Sequence, residues 1–399
     1  MKTFVQKNVI LFVLAAIISP CMAIDGVIVQ TTDYAFREKW NYSPSTSTSL
    51  ISISDTVFHE QTLFITAIAS DCKLDSRKMA DVVYSVKVFY PDHTLYTKWE
   101  NIPLFQGKSY DIKHLHMSQQ VKNLTFQGKE PLGTYQIEMV ITDNVAKTSK
   151  TIESKLVLAN LPSYESISFN MTMLEQWMDN YYLHPCPEQA LAAYMYASQQ
   201  DLLSEETRFW PILSMEKEIY QHNSFLYPQL LDCFSHQEDT TTQQHLLVLI
   251  HYLGLDDAKF RAFLSTYNQW YLSYLDSNPY PDIYGEINSP VLLDMLWGNF
   301  MASGSYQPIL KLIHTLDYAK YEKCLEKYKN NEDLRNASEK ELNDVVKYMS
   351  YKSLVWSLTS NCRRHNIVKQ YCEWASEHEK LSKQQRKDLK SILENSSQN

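Results

Sequence analysis

The sequence predicts an α+β, multidomain fold: an antiparallel β-sandwich followed by an all-α domain of helical hairpins. Three observations predict it. Short stretches between residues 50 and 160 alternate apolar and polar residues with a period of two. Beyond residue 170 the apolar period changes to that of a helix and keeps it to residue 394. A length of 399 residues favours more than one domain.

The first element is a targeting segment. Lys2 and Lys7 form a positive region, Val9–Ile18 an apolar run of ten, and Cys21-Met22-Ala23 places small residues before a cleavage site. The run is too short for a stable membrane span. Residues 1–23 therefore read as a signal peptide, with Ile24 the first mature residue. A lipidated Cys21 is the variant, but Pro20 stands where a lipobox needs a small residue. Residues 24–49 begin polar and end in "NYSPSTSTS", which reads as a flexible lead-in.

The strand-like segments are 50–54, 62–69, 82–90, 94–99, 121–126, 134–142 and 153–159, rich in β-branched and aromatic residues. Tyr90-Pro91-Asp92-His93 has the chemistry of a hairpin turn. In "EPLGTYQIEMVITD" (130–143), Gly133 and Tyr135 open a long alternating strand. This resembles the tyrosine corner of immunoglobulin-like domains, in which a tyrosine ties a loop to the sandwich edge. Ile137 stands where antibody domains have a cysteine, so the central disulfide of that family is not implied. The resemblance covers residues 50–160 and implies an Ig-like antiparallel β-sandwich. Residues 161–170 read as a linker.

Helices are expected at 173–183, 188–203, 207–220, 241–253, 256–275, 290–303, 308–328, 339–360, 364–379 and near 381–394, an α-helical domain of residues 171–394. Ser289-Pro290 is a helix start, Ser338 and Glu341 have capping-box spacing, and Gly304 is placed to end a helix. The segment 292–316 looks like one tetratricopeptide-type hairpin, with Trp297 and Phe300 on its first helix and Gly304-Ser305-Tyr306 at its turn. Ile309 departs from that family, which has a small residue there, and no clean repeat follows. The half resembles a degenerate hairpin array, or an irregular bundle with one such hairpin. The whole arrangement looks like uncharacterised bacterial exported proteins that carry an Ig-like module ahead of a helical domain. That resemblance implies an envelope or secreted location and supplies no activity.

Composition narrows the function. A net charge of −9 disfavours nucleic acid and anionic membrane as partners. The basic run Lys380–Lys390 has helical spacing and reads as a solvated face. Only 8 glycines argue against phosphate-cradling loops, while 27 tyrosines suit core edges and binding surfaces alike. The mature chain has Cys72, Cys186, Cys233, Cys324, Cys362 and Cys372 without CxxC spacing; disulfides of Cys324 with Cys362 or Cys372 and buried free thiols both stay open. There is no HExxH, so no metal site is expected, although His114 and His116 share a strand face. There is no GxSxG, and Cys186 in "HPCP" near His184 is a weak nucleophile candidate. Asn41, Asn123, Asn170, Asn336 and Asn395 are sequons, meaningful only in a eukaryotic secretory pathway.

The loop "SNPYPDIYGEINS" (277–289) stands out. It is long for a helix connection, stiffened by Pro279 and Pro281, and carries Tyr280 and Tyr284 just before Trp297. It also holds Asp282 and Glu286, a carboxylate pair that would suit glycosidic acid–base chemistry if spaced across a cleft. The expectation is an exported, periplasmic or secreted, non-catalytic binding or scaffold protein. It would recognise a protein or peptide through Tyr280, Tyr284 and Trp297, with no cofactor and no membrane span after cleavage. A polysaccharide hydrolase or lyase and a secreted host-directed effector are the alternatives.

Overall fold

The computed structural model describes residues 24–44, 51–108, 115–255, 258, 261, 269–327 and 337–397. The expected signal peptide, its cleavage site, the end of the lead-in, His114 and Asn336 lie outside the described residues. The fold is α+β, with the strands between residues 25 and 159 and, apart from one short helix at 36–41, the helices after them.

One sheet has the order β1 (Asp25–Thr31), β3 (Thr62–Ser70), β6 (His116–Met117), with β7 (Lys122–Thr125) also on β3. The other runs β2 (Thr56–Phe58), β9 (Thr148–Ala159), β8 (Gly133–Asp143), β4 (Met79–Phe89), β5 (Leu95–Lys108). Among the described residues only the short β2–β9 pairing is parallel. Strict alternation explains β4 and β8. Val82, Tyr84, Val86 and Val88 face inward from one, Tyr135, Ile137, Met139 and Ile141 from the other. They share a core with Leu63, Ile65 and Ala67 of the first sheet. The Tyr135 hydroxyl donates to the Pro131 carbonyl at 3.0 Å and ties the turn before β8 to the strand. The expected strand at 50–54 is displaced to β2, and β5 runs longer than its alternation suggested.

The helices among the described residues are α1 (Phe36–Asn41), α2 (Met171–Asn180), α3 (Ala190–Gln199), α4 (Glu206–His222), α5 (Tyr227–His236), α6 (Thr240–Tyr252), α7 (Gln269–Ser277), α8 (Pro290–Ser303), α9 (Tyr306–Thr315), α10 (Glu322–Lys327), α11 (Glu339–Arg364), α12 (Asn366–His378) and α13 (Lys383–Ser396). They enclose two apolar cores, one spanning Leu174 to Ala302 and the other Tyr182 to Ile392. The cores meet where α4 lies along α8. Pro211 sits inside α4 and its carbonyl faces Gly298 of α8 so closely that any Cβ at 298 would collide with it. Ser214 Oγ adds a bond to the Met295 carbonyl at 2.8 Å. Gly304 ends α8 with φ +64°, and Ser338 and Glu341 form both bonds of a capping box.

The flexible lead-in is corrected. Residues 25–31 are strand β1, and residues 33–43 form an arm buried against the helical half. Phe36, 1% exposed, turns the other way and packs on Val29, Ile68 and Met117 of the first sheet, so the arm lies between strands and helices. The Gln30 amide bridges the sheets, donating to the Ser54 carbonyl at 2.9 Å and the Lys155 carbonyl at 3.0 Å. Glu38 accepts from the Tyr306 backbone N–H at 2.8 Å and from the Ser305 hydroxyl, so the arm caps α9 from outside it. Ser43 Oγ contacts Gln370 Oε1 at 3.0 Å.

Candidate functional site

The 277–289 loop is held by hydrogen bonds of its own and to its neighbours. The Asn278 amide donates to the Tyr274 carbonyl at 2.7 Å and closes the end of α7. Tyr252 Oη donates to the Asn278 carbonyl at 2.9 Å. Asp282 Oδ1 accepts from the N–H groups of Tyr284 (3.1 Å) and Gly285 (3.0 Å), forming a side-chain-closed turn. Ile283 and Ile287 are buried anchors, and Ser289 caps α8. Lys311 Nζ donates to the Gly285 carbonyl.

Beneath the loop is a pocket of about 320 Å³, lined by Ser214, Lys217, Glu218 and Gln221 of α4, Asn299 of α8, and loop residues 280–284. Tyr280 is half-buried, with the Lys217 ammonium 4.5 Å from its ring centre and Tyr252 edge-on at 5.5 Å. Tyr284 is 47% exposed and donates to Asn299 Oδ1 at 3.1 Å. Asn299 Nδ2 donates to Glu218 Oε2 at 2.6 Å, and the Tyr34 hydroxyl donates to Glu218 Oε1. Tyr34 itself stacks on His222 at 3.5 Å. A hydrogen-bond chain thus runs from the loop, through α8 and α4, to the amino-terminal arm.

Burial sets the ionisation of the lining. It pushes the Tyr280 phenol up to about 12, assisted by the Glu218 charge and opposed by a bond with Ser214. Burial, then Glu218, raises Tyr284 as well, so both phenols stay neutral donors at ordinary pH. Burial lowers the Lys217 ammonium.

The expected site residues separate. Tyr280 and Tyr284 come together in the pocket. Trp297 does not join them: it is 8% exposed in the second helical core, edge-on to Phe300, with Nε1 donating to Ser357 Oγ at 3.2 Å. Helix α8 buries most of its circumference, so its tryptophan is core. Asp282 and Glu286 do not both line the pocket. Asp282 holds the turn, while Glu286 lies outside the pocket lining and pairs with Lys347 at 2.5 Å, which lowers its carboxyl pKa. His116 stacks on Phe105 at 3.8 Å, and Cys186 Sγ donates to the His184 carbonyl at 2.9 Å. Among the described residues no group of three His, Cys, Asp or Glu side chains could hold a metal. No described helix is long and apolar enough to cross a membrane.

Sequence reasoning missed Lys217, Glu218, Asn299 and Tyr34. Nothing local marks the first three; the spacing of Phe36 and Trp40 in a polar stretch was the available sign of the arm that carries Tyr34.

No family model matches the chain, and no curated protein matches it in sequence. Two solved structures show slight likenesses. One is a family 123 glycoside hydrolase from Clostridium perfringens, described for glycolipid glycan hydrolysis, at 11% identity and TM-score 0.25, covering 53% of this chain and 36% of that one. The other is a CARDB domain from Pyrococcus furiosus, in complex with di-metal ions, at 15% identity and TM-score 0.18, covering 35% of this chain and 100% of that one. Likenesses this slight carry no argument about fold or function.

Proposed function

We propose that the protein is an exported, non-catalytic binding protein, periplasmic or secreted, whose pocket under the 277–289 loop receives a basic side chain of a protein or peptide partner. In this reading an Ig-like sandwich carries a degenerate helical-hairpin domain that presents the loop. The observation that carries the proposal is the pre-ordered pocket with Tyr280 and Tyr284 at its edge. A loop already held by Asp282, Asn278 and two prolines loses little entropy on binding. Two carboxylates, Glu218 and Asp282, stand against one ammonium, Lys217, in a chain of net charge −9. That balance favours a cation. A guanidinium fits best, because it is planar, lies flat on a phenol ring and donates to carboxylate and amide oxygens together. The volume suits one long side chain rather than a large ligand.

The hydrolase alternative called for Asp282 and Glu286 across one cleft, and Glu286 lies outside the pocket lining, paired with Lys347. The test is an immobilised set of capped hexapeptides with a central Arg, Lys, Gln or Glu, probed with the labelled protein. Retention on Arg peptides above Gln and Glu peptides, lost with Tyr280→Ala plus Tyr284→Ala, is expected. Equal retention on all four contradicts the proposal. Export is tested separately, by N-terminal sequencing of the released protein, which is expected to begin at Ile24.

A further inference from the structure

Cys362 lies in the last turns of α11 and Cys372 in the middle of α12, and His365 alone joins the two helices. Their sulfurs are 3.7 Å apart, and the residues are 3% and 0% exposed in the second helical core. Both thiols are free here. The other cysteines have different neighbours: Cys324 Sγ lies 4.0 Å from Asp344 Oδ2, and Cys233 Sγ 3.7 Å from Met195 Sδ. Of the two alternatives that the sequence left open, buried free thiols describe Cys362 and Cys372, and no disulfide joins either to Cys324.

We propose that Cys362 and Cys372 are a disulfide-forming site that fastens α11 to α12 when the chain folds in an oxidising compartment. The proposal takes its oxidant from the export reading and its pairing from the geometry alone. One thiolate attacks a sulfur of an organic disulfide such as glutathione disulfide, forming a mixed disulfide and releasing one small thiolate. The second cysteine thiolate then displaces the remaining small thiolate and closes the protein S–S bond. The protein loses two protons and two electrons, and the organic disulfide becomes two thiols. Bond formation needs the sulfurs at about 2.05 Å, a closure of about 1.7 Å from 3.7 Å.

Burial also sets when the reaction happens. The contact with Cys362 and burial together push the Cys372 thiol well above its ordinary pKa, and burial of both residues keeps an oxidant from either sulfur in the folded, reduced protein. Oxidation therefore belongs to folding and precedes closure of the core. Once formed, the bond is shielded from reductants by the same burial.

The test starts from full-length protein, reduced and unfolded, then refolded in a buffer of reduced and oxidised glutathione. Free thiols are alkylated under denaturant and the protein is cut with trypsin, which cleaves after Lys352, Arg363, Lys369 and Lys380 and so separates the two cysteines. The expected product is peptide 353–363 cross-linked to peptide 370–380, collapsing on reduction. The refolded protein is expected to melt about 5 °C above the reduced one, a difference absent in Cys372→Ala. Recovery of both peptides separately alkylated overturns the proposal. The same map of protein taken from its producing cells separates the two readings. A cross-link that forms in the refolding buffer but is missing from the cellular protein supports the pair and counts against export.

Discussion

Lys39 and Asp33 form an ion pair inside the protein, Nζ to Oδ2 at 2.7 Å, with each side chain 2% exposed. Lys39 Nζ also donates to the Tyr182 carbonyl at 2.6 Å, and Asp33 Oδ1 accepts from the Ala35 N–H at 2.9 Å. The lysine stem fills the space under Gly304, where a Cβ would strike it. An ion pair taken out of water is stable only when both partners are satisfied, and here the partner set spans the arm and the helical half. Lys39→Ala leaves Asp33 buried and uncompensated. The expected loss is about 3–5 kcal/mol, read from urea unfolding of the variant against the wild type.

The arm's role can be tested without a point substitution. Residues 160–397 expressed alone lack Glu38 at the start of α9, Lys39 beneath Gly304 and Tyr34 beside Glu218. The fragment is expected to be poorly soluble or to lose near-ultraviolet circular dichroism while keeping helix. Cooperative melting at the full chain's temperature would show that the arm merely lies on a finished domain.

Gly298→Ala probes the α4–α8 crossing. The added methyl meets backbone, the Pro211 carbonyl, which cannot swing aside as a side chain would. A loss of about 1–3 kcal/mol is expected by denaturant unfolding. Gly128→Ala, with open space around its Cβ position, is the matched control and is expected to change little.

Glu216 gives a pH dependence of known sign. It is 1% exposed, its Oε2 has no hydrogen-bond partner, and burial raises its carboxyl pKa well above the ordinary value of 4.5. The folded protein therefore holds this proton where the unfolded chain has released it. The resulting stability is complete below pH 4.5 and is lost as pH rises towards the folded pKa. Glu216→Gln removes that slope. Its melting temperature relative to wild type is expected to climb between pH 5 and pH 8; a constant difference would mean that Glu216 is ionised in the fold.

What the sequence made legible follows from where its signals are local. Strands β4 and β8 declared themselves because every second residue is buried. The α8–α9 hairpin did so because Ser289, Pro290 and Gly304 act within one turn of themselves. Strand β1 was illegible because its partner β3 lies far along the chain, and α1 because six residues are too few for a helical period. Lys39 carried the opposite signal, since lysine is ordinarily a surface residue. Trp297 shows a further limit. In a helix apolar on nearly all sides, composition cannot say which aromatic faces out. Tyr280 and Tyr284 were reachable because prolines and length mark an ordered loop, whereas Glu218 and Asn299 meet them only through the crossing of α4 and α8.

The most direct test of the binding proposal is the calorimetric affinity of the best-retained arginine hexapeptide for three proteins: wild type, Tyr280→Ala with Tyr284→Ala, and Asp282→Asn with Glu286→Gln. The tyrosines supply the contact surface. Asp282→Asn keeps the acceptor that closes the turn, and Glu286 is engaged with Lys347 outside the pocket. The tyrosine pair is expected to weaken binding at least tenfold, about 1.4 kcal/mol, at a temperature where the variant is fully folded, and the acidic pair by less. An unchanged affinity in the tyrosine variant would contradict the proposal.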